Sequence, residues 1–336
     1  MDIHRTGRWQ GLALESDALR GNPLGDPEQR PVYVWTPPSY DTSGDRRYPS
    51  IYVLHGLTGQ GRAWFNVAPF SRNFPELVEE LGAEAIVVLV DGFTALGGAQ
   101  WIDSPAIGDY GTYFCDEVVP LVDSKFRTIA AASGRGVTGK SSGGFGAMVW
   151  AMLRPDLFGG LATHAGDALF EVSFTPEFAP AAQALRNRYD GSFDRFWDDF
   201  HSGRPVLRND TDPVLLNVYT CAAAYSSNPD GSVDLPFELD TGALIPEVWE
   251  RWLAWDPVRL AAAHGDSLRG LRGIWIDAGR NDEYRLDLGA VAFRDAVAAA
   301  GVSDDVVHFE LFDGTHRGTD WRYPLGLAFL ADRLGS

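Results

Sequence analysis

The sequence predicts an α/β fold in which a mostly parallel central sheet is covered by helices on both faces. Three observations carry this. Short apolar runs recur at 48–54, 85–90 and 271–277, each of strand length. Helix-forming stretches alternate with them, the rhythm of parallel strands joined by crossover helices. Each run stops at a turn holding glycine, at His55-Gly56, Asp91-Gly92 and Ala278-Gly279. With 336 residues, 45% hydrophobic and 12% aromatic, the chain can bury a sizeable core. One domain over 1–336 is expected, carrying an insertion.

Taken in order, residues 1–30 are polar and irregular, with turns at Gly21-Asn22-Pro23 and Gly25-Asp26-Pro27. A strand is expected over 31–36, stopped by Pro37-Pro38. The apolar run 48–54 is a central strand leading into His55-Gly56-Leu57-Thr58-Gly59. A helix over 74–81 precedes the strand at 85–90. Residues 97–108 form a loop carrying Trp101. An amphipathic helix spans 112–126, and Pro120 demands a local adjustment within it. A strand at 135–138, a tight turn and a helix over 145–153 follow, then a short strand at 160–164.

From 167 to 257 the alternation breaks down and aromatics accumulate. A connection of this length inside a compact domain is expected to be a cap or lid with its own structure. Helices are expected over 180–189, 192–201 and 246–253. Most of the aromatics suit core packing; Trp64, Trp101, Phe170 and Tyr225 are candidate substrate-facing residues, since ligand pockets are themselves aromatic-rich. The sheet resumes at 271–277, followed by a glycine loop, a helix over 284–300, a last strand over 306–312 and a closing helix over 323–334.

The chemistry lies at strand ends. Gly139-Lys140-Ser141-Ser142-Gly143 is a G-x-S-x-G sequence between a strand and a helix, a context that lifts a serine hydroxyl above the sheet. Ser141, Asp282 and His316 each follow a strand, so all three can converge on the carboxyl edge of the sheet. Their order, serine then acid then histidine, is that of α/β-hydrolases. Ser141 is the candidate nucleophile, His316 its base, and Asp282 the acid orienting the imidazole, with Asp277 and Glu283 competing for the last role. The backbone N–H groups of Leu57 and Ser142 are candidate oxyanion donors. His55 is expected to shape the turn beside Leu57, and His164, His201, His264 and His308 are assigned structural places.

Other classes find little support. Acidic residues outnumber basic ones 46 to 28, a formal charge of -18, which argues against nucleic acid and anionic membranes as partners. Two distant cysteines, Cys115 and Cys221, form neither a disulfide framework nor a zinc pattern and are expected to be buried thiols. No metal or cofactor is expected, and the chain carries no H-E-x-x-H sequence. Gly265-Asp266-Ser267-Leu268, which spells another hydrolase motif, sits too deep in the chain for it, and 228–234 suits turns better than a calcium loop. With no apolar leader-like segment at the N-terminus and no membrane-length run, a cytoplasmic protein is expected.

Several stretches together resemble the "putative esterase" family of α/β-hydrolases, which includes esterase D-type S-formylglutathione hydrolases, feruloyl esterases, enterochelin esterases and mycolyltransferases. They are Val34-Trp35-Thr36-Pro37-Pro38-Ser39-Tyr40, the run from Tyr48 through His55-Gly56-Leu57, Glu117-Val118-Val119-Pro120, Gly139 to Gly144, and Asp313-Gly314-Thr315-His316. The resemblance implies an α/β-hydrolase fold with a helical, aromatic-rich cap at 167–257. It also implies Ser141, Asp282 and His316 as a triad, with Leu57 and Ser142 as oxyanion donors. One departure is Ser142, where the family commonly has Met; a backbone donor survives this change, but the polarity of the adjoining pocket does not. The expected function is a serine carboxylic-ester hydrolase acting on a small-molecule ester through an acyl-enzyme. Acyl transfer or thioester hydrolysis by the same triad is the alternative, and a non-catalytic binding member of the fold is a third reading.

Overall fold

The computed structural model describes residues 8–335 apart from 68, 69, 71, 203 and 204. Ten strands form: β1 (Arg8–Glu15), β2 (Gln29–Thr36), β3 (Ser50–Leu54), β4 (Ile86–Val90), β5 (Asp103–Ser104), β6 (Gly108–Asp109), β7 (Arg135–Ser141), β8 (Gly160–Gly166), β9 (Gly273–Gly279) and β10 (Val307–Phe312). Eight join one sheet in the order β1-β2-β4-β3-β7-β8-β9-β10, while β5 and β6 pair as a small separate ribbon. Within the large sheet β2 runs antiparallel to both neighbours, and every other pairing is parallel. This is the α/β-hydrolase fold.

Alternation along the strands divides the core in two. Tyr52, Leu54, Val88 and Val90 point into the larger cluster, which includes Phe145 and Met148 of the helix Ser142–Leu153. Ile51, Val53, Val87 and Leu89 point the other way, into a cluster with Val78 of the helix Phe74–Leu81 and Leu327 of the helix Tyr323–Leu334. Being covered on both faces is what makes β3 and β4 uninterrupted apolar runs.

The sheet order also locates the site. From β3 the chain steps outward to β4, then returns past β3 to β7 on the other side. The carboxyl ends of β3 and β7 therefore flank a crevice where the winding direction reverses, the place where open α/β sheets bind ligands.

Three elements differ from the sequence reading. β1 lies within the stretch read as irregular; it is a half-exposed edge strand with Gly11 in its middle, so neither apolarity nor alternation announces it. The expected helix over 112–126 is a composite of Tyr110–Thr112, a π-helical Tyr113–Val118 and Val119–Lys125. The wide π turns let the α-helix restart at Val119, so Pro120 falls in a first turn where its missing N–H costs nothing. Between β8 and β9, helices form at Thr175–Tyr189, Phe193–His201 and Pro246–Leu253, close to expectation, and also at Asp212–Tyr225. The last is buried on most sides, and a helix apolar all round shows no amphipathic stripe. Gly265–Arg269 is a short surface helix, and both cysteines are buried and unpaired. Among the described residues no helix is long and apolar enough to cross a membrane.

The tightest packing lies where β3 meets the helix after β7. A Cβ on Gly143 would stand 2.0 Å from the Leu54 carbonyl oxygen, a contact with backbone on both sides and no side chain to yield. Gly143→Ala is expected to destabilise the fold by about 3 kcal/mol or more. Denaturant unfolding checks this; a midpoint matching the parent would contradict the packing described.

Candidate active site

Ser141 closes β7 with φ 57° and ψ −128°, a conformation costly for a residue with a side chain, on the order of 1–3 kcal/mol. Its surroundings leave no alternative. A Cβ on Gly139 would lie 2.3 Å from the Gly143 carbonyl group, and one on Gly144 would lie 2.7 Å from the Gly166 Cα. Only glycines permit so sharp a reversal from strand to helix. The β7–β8 register slips at the same point, pairing Lys140 with His164 but Ser141 with Gly166; Ala165, φ 44°, is the extra residue.

The turn after β3 abuts this elbow. A Cβ on Gly56 would approach Ser141 Cβ to 3.2 Å. The Gly59 N–H donates to the Gly56 carbonyl and the Thr58 N–H to that of Gly97, which folds the turn over the elbow. Among the described residues none accepts a hydrogen bond from the N–H of Leu57 or of Ser142. Ser142 begins a helix, whose first N–H groups have no partner within it.

His55 supports the turn through both ring nitrogens: Nδ1 lies 2.9 Å from the Gly56 carbonyl oxygen, and Nε2 accepts from the Gly92 N–H at 2.9 Å. Burial lowers its pKa, so it is a neutral brace, as its sequence position suggests. Asp91 continues the scaffold, accepting from Arg30 at 2.8 Å and from the Gly61 N–H at 2.7 Å.

His316 follows β10. Its Nδ1 is 2.8 Å from Asp282 Oδ2, leaving Nε2 for proton exchange. Asp282 is fixed in turn, its Oδ1 accepting from the N–H groups of Tyr284 at 2.9 Å and Leu286 at 3.4 Å. The competing acids have other work. Glu283 accepts from the His316 backbone N–H at 2.7 Å. Asp277 is buried against His164 (2.8 Å), Trp275 Nε1 (2.7 Å) and Arg322 (2.8 Å). Burial alone would raise the Asp277 carboxyl, but His164, Trp275 and Arg322 together hold it below the usual range.

Ser141, His316, Leu57 and Trp64 line one cleft of about 870 Å³. The other three aromatic candidates do not face it. Phe170 and Tyr225 are fully buried, their ring centroids 6.0 and 5.6 Å from that of Phe145 on the helix after Ser141. They weld the 167–257 segment to that helix. Trp101 is buried beneath the site: its Nε1 donates to the His55 carbonyl at 2.9 Å, and its ring occupies the space beside Gly92 and Gly146. Its sequence signal, an aromatic in a loop near the motif, cannot separate a ligand contact from a buttress.

Four acids lining the cleft, Asp167, Glu177, Asp210 and Asp320, were not anticipated. Asp167 follows β8, and its Oδ1 is 3.4 Å from Ser141 Oγ. Burial raises its pKa to about 7, against the lowering effect of the Ser142 and Ser141 hydroxyls. Glu177, on Thr175–Tyr189, accepts from Asn217 at 2.6 Å and is likewise raised to about 7 by burial. The rule that marked Ser141, Asp282 and His316, a polar residue just past a strand, also marks Asp167; nothing local marks Glu177.

The indole bond of Trp101 predicts a separable effect. Trp101→Phe is expected to cost about 1–2 kcal/mol of stability by orphaning the His55 carbonyl and losing ring volume. Circular dichroism melts measure this. Unchanged melting would mean that the bond contributes nothing.

A family model described as "Putative esterase" matches residues 27–330. Esterase Rv1288 of Mycobacterium tuberculosis is 33% identical over 148 residues, which is 43% of this chain and 30% of that protein. The chain therefore aligns with under a third of the length of that curated relative. Among solved structures, a ferulic acid esterase has a TM-score of 0.60 at 20% identity, covering 98% of this chain and 99% of the other. An S-formylglutathione hydrolase from Agrobacterium tumefaciens has a TM-score of 0.59 at 17% identity, covering 99% and 98%. At such identities the structural likeness speaks for the fold.

Proposed function

The chain belongs to the esterase family whose model spans it, and we propose that it is a serine carboxylic-ester hydrolase working through an acyl-enzyme. The observation that carries this reading is the 2.8 Å Asp282–His316 bond facing the same cleft as a serine held in a strained elbow.

Each group then has one task. The ester carbonyl sits between Ser141 Oγ and the turn at Leu57. His316 Nε2 takes the hydroxyl proton as Oγ attacks the carbonyl carbon. Asp282 keeps Nδ1 protonated and stabilises the imidazolium that forms. The negative charge that develops on the carbonyl oxygen is met by the N–H groups of Leu57 and Ser142, already oriented before substrate arrives. When the tetrahedral adduct collapses, the imidazolium gives its proton to the departing alcohol oxygen. Water attacks the acyl-enzyme by the same path, passing a proton to His316, which returns it to Ser141 as the acid leaves. The Ser142 side chain takes no part in the donor role, so the departure from Met leaves the oxyanion site whole.

The test is a series of p-nitrophenyl esters of increasing acyl length. Ser141→Ala is expected to lower kcat by about 10⁴-fold or more, and Asp282→Asn by about 10³–10⁴-fold with little change in KM. A fluorophosphonate should label the parent protein and not Ser141→Ala. If Ser141→Ala keeps parental turnover, the nucleophile is wrongly assigned. If no ester reacts and no label is taken up, the protein is not a serine hydrolase.

A further inference from the structure

The Ser141 hydroxyl has an acceptor other than the base proposed for it. Asp167 Oδ1 lies 3.4 Å from Ser141 Oγ, and the Asp167 N–H donates to the Ser141 carbonyl at 3.3 Å, so the two residues are tied by backbone as well as side chain. Asp167 is buried and borders the cleft at Ser141. The cations lining the same cleft are Lys140 and Arg317, and the carboxylates that act on Lys140 are Asp320, Asp282 and Glu283, with Asp167 not among them. Asp282 faces it from the loop after β9 and Glu177 from Thr175–Tyr189, both raising its pKa by repulsion. Cys221 and Tyr225, on Asp212–Tyr225, feel its charge, and both are held neutral by burial. The Ser141 and Ser142 hydroxyls favour its ionised form, and His316 lies across the same cleft.

We propose that Asp167 gates the nucleophile: as a carboxylate it holds the Ser141 proton and opposes the oxyanion, and as a neutral acid it releases the serine to His316. This rests on the serine esterase reading. In the ionised state the hydroxyl donates to Asp167, and attack must break that bond while building a second negative charge beside the first. In the neutral state Asp167 is a weaker acceptor for the serine proton, and Oγ–H turns more readily to His316 Nε2. No proton is gained or lost in this exchange beyond the one Asp167 takes from solvent. Ser142 belongs to the same device, since its hydroxyl favours the ionised form of Asp167 and so biases the gate towards the closed state. A serine in place of the family's common Met thus acquires a role.

The gate sets a pH dependence whose sign is fixed. Reactivity falls as Asp167 ionises near pH 7. Stability moves in step. The folded state holds the Asp167 proton in the window between the ordinary carboxyl value of 3.8 and about 7, while the unfolded chain has released it. Stability from this group is therefore complete at the acid end and lost as pH rises to 7. Glu177 contributes a slope of the same sign and is retained in the variants below.

The experiment follows the rate of fluorophosphonate labelling from pH 5.5 to 9, with urea unfolding over the same range. The parent's labelling should fall about tenfold between neutral and alkaline pH. Asp167→Asn should lose this fall and show a shallower decline of stability with pH. Ser142→Ala keeps the backbone donor but loses the hydroxyl that favours the ionised form of Asp167, so its fall should move to higher pH. That second variant protects the test should Asp167→Asn fail to fold. A parent with no alkaline fall, or an Asp167→Asn profile parallel to the parent's, overturns the gate. A parent that takes no label at any pH overturns the esterase reading instead, and the stability slope still reports whether Asp167 is protonated in the fold.

Discussion

The rest of the site depends on a backbone meeting point. The Leu54 carbonyl, the Gly139 backbone and the first turn of the helix after Ser141 come so close that no side chain fits between them. Ser141 would not hold φ 57° by preference; it does so because the strand must become a helix within one residue, against β3. The same contact has a second effect. It brings the turn at Gly56 and Leu57 against the elbow, so the serine hydroxyl and the candidate oxyanion donors are fixed by one constraint. Nucleophile and donors cannot drift apart without unpacking the sheet.

The histidine side of the site is held differently, by hydrogen bonds instead of close packing. Two consecutive acids divide the work: Asp282 takes the imidazole and Glu283 the backbone of the same residue. Asp277, five residues earlier, still lies within β9, and its side chain joins the buried cluster of His164, Trp275 and Arg322. That cluster ties β8 and β9 to the closing segment. An acid inside a strand points wherever alternation sends it, whereas one past the end is free to turn over the sheet edge.

Strands buried on both faces were legible because burial writes itself as unbroken apolar sequence, and the helices Phe74–Leu81 and Tyr323–Leu334 match their expected bounds. That Ser141 and His316 would meet at one cleft, with Asp282 bonded to His316, was legible through their places after strands. The parts that escaped share a physical cause. β1 is an edge strand with little to bury; the helix Asp212–Tyr225 buries nearly everything and so lacks a polar face. Phe170, Tyr225 and Trp101 have the composition of a pocket, but composition does not tell which side of a ring meets solvent. Trp101 shows this most plainly, since a residue that braces the turn at His55 and one that touches substrate would read alike.

What reaches Ser141 is shaped by side chains that only tertiary structure assembles. Gln100 donates to Cys221 at 3.0 Å, Cys221 approaches Asn217 at 3.8 Å, and Asn217 donates to Glu177 at 2.6 Å. This chain runs from the loop holding Trp101, through Asp212–Tyr225, to a carboxyl group lining the cleft. It orients the Asn217 amide against Glu177. Burial raises Glu177 and Asp167 for the same reason, outweighing the Asn217 bond and the Arg285 charge at Glu177 and the serine hydroxyls at Asp167. A low-dielectric wall strengthens the N–H groups that would meet an oxyanion, and it equally strengthens any carboxylate nearby. Under the proposed mechanism the cleft can use the first effect only if its own acids are kept neutral, so the protonation of its walls belongs to that proposal as much as His316 does.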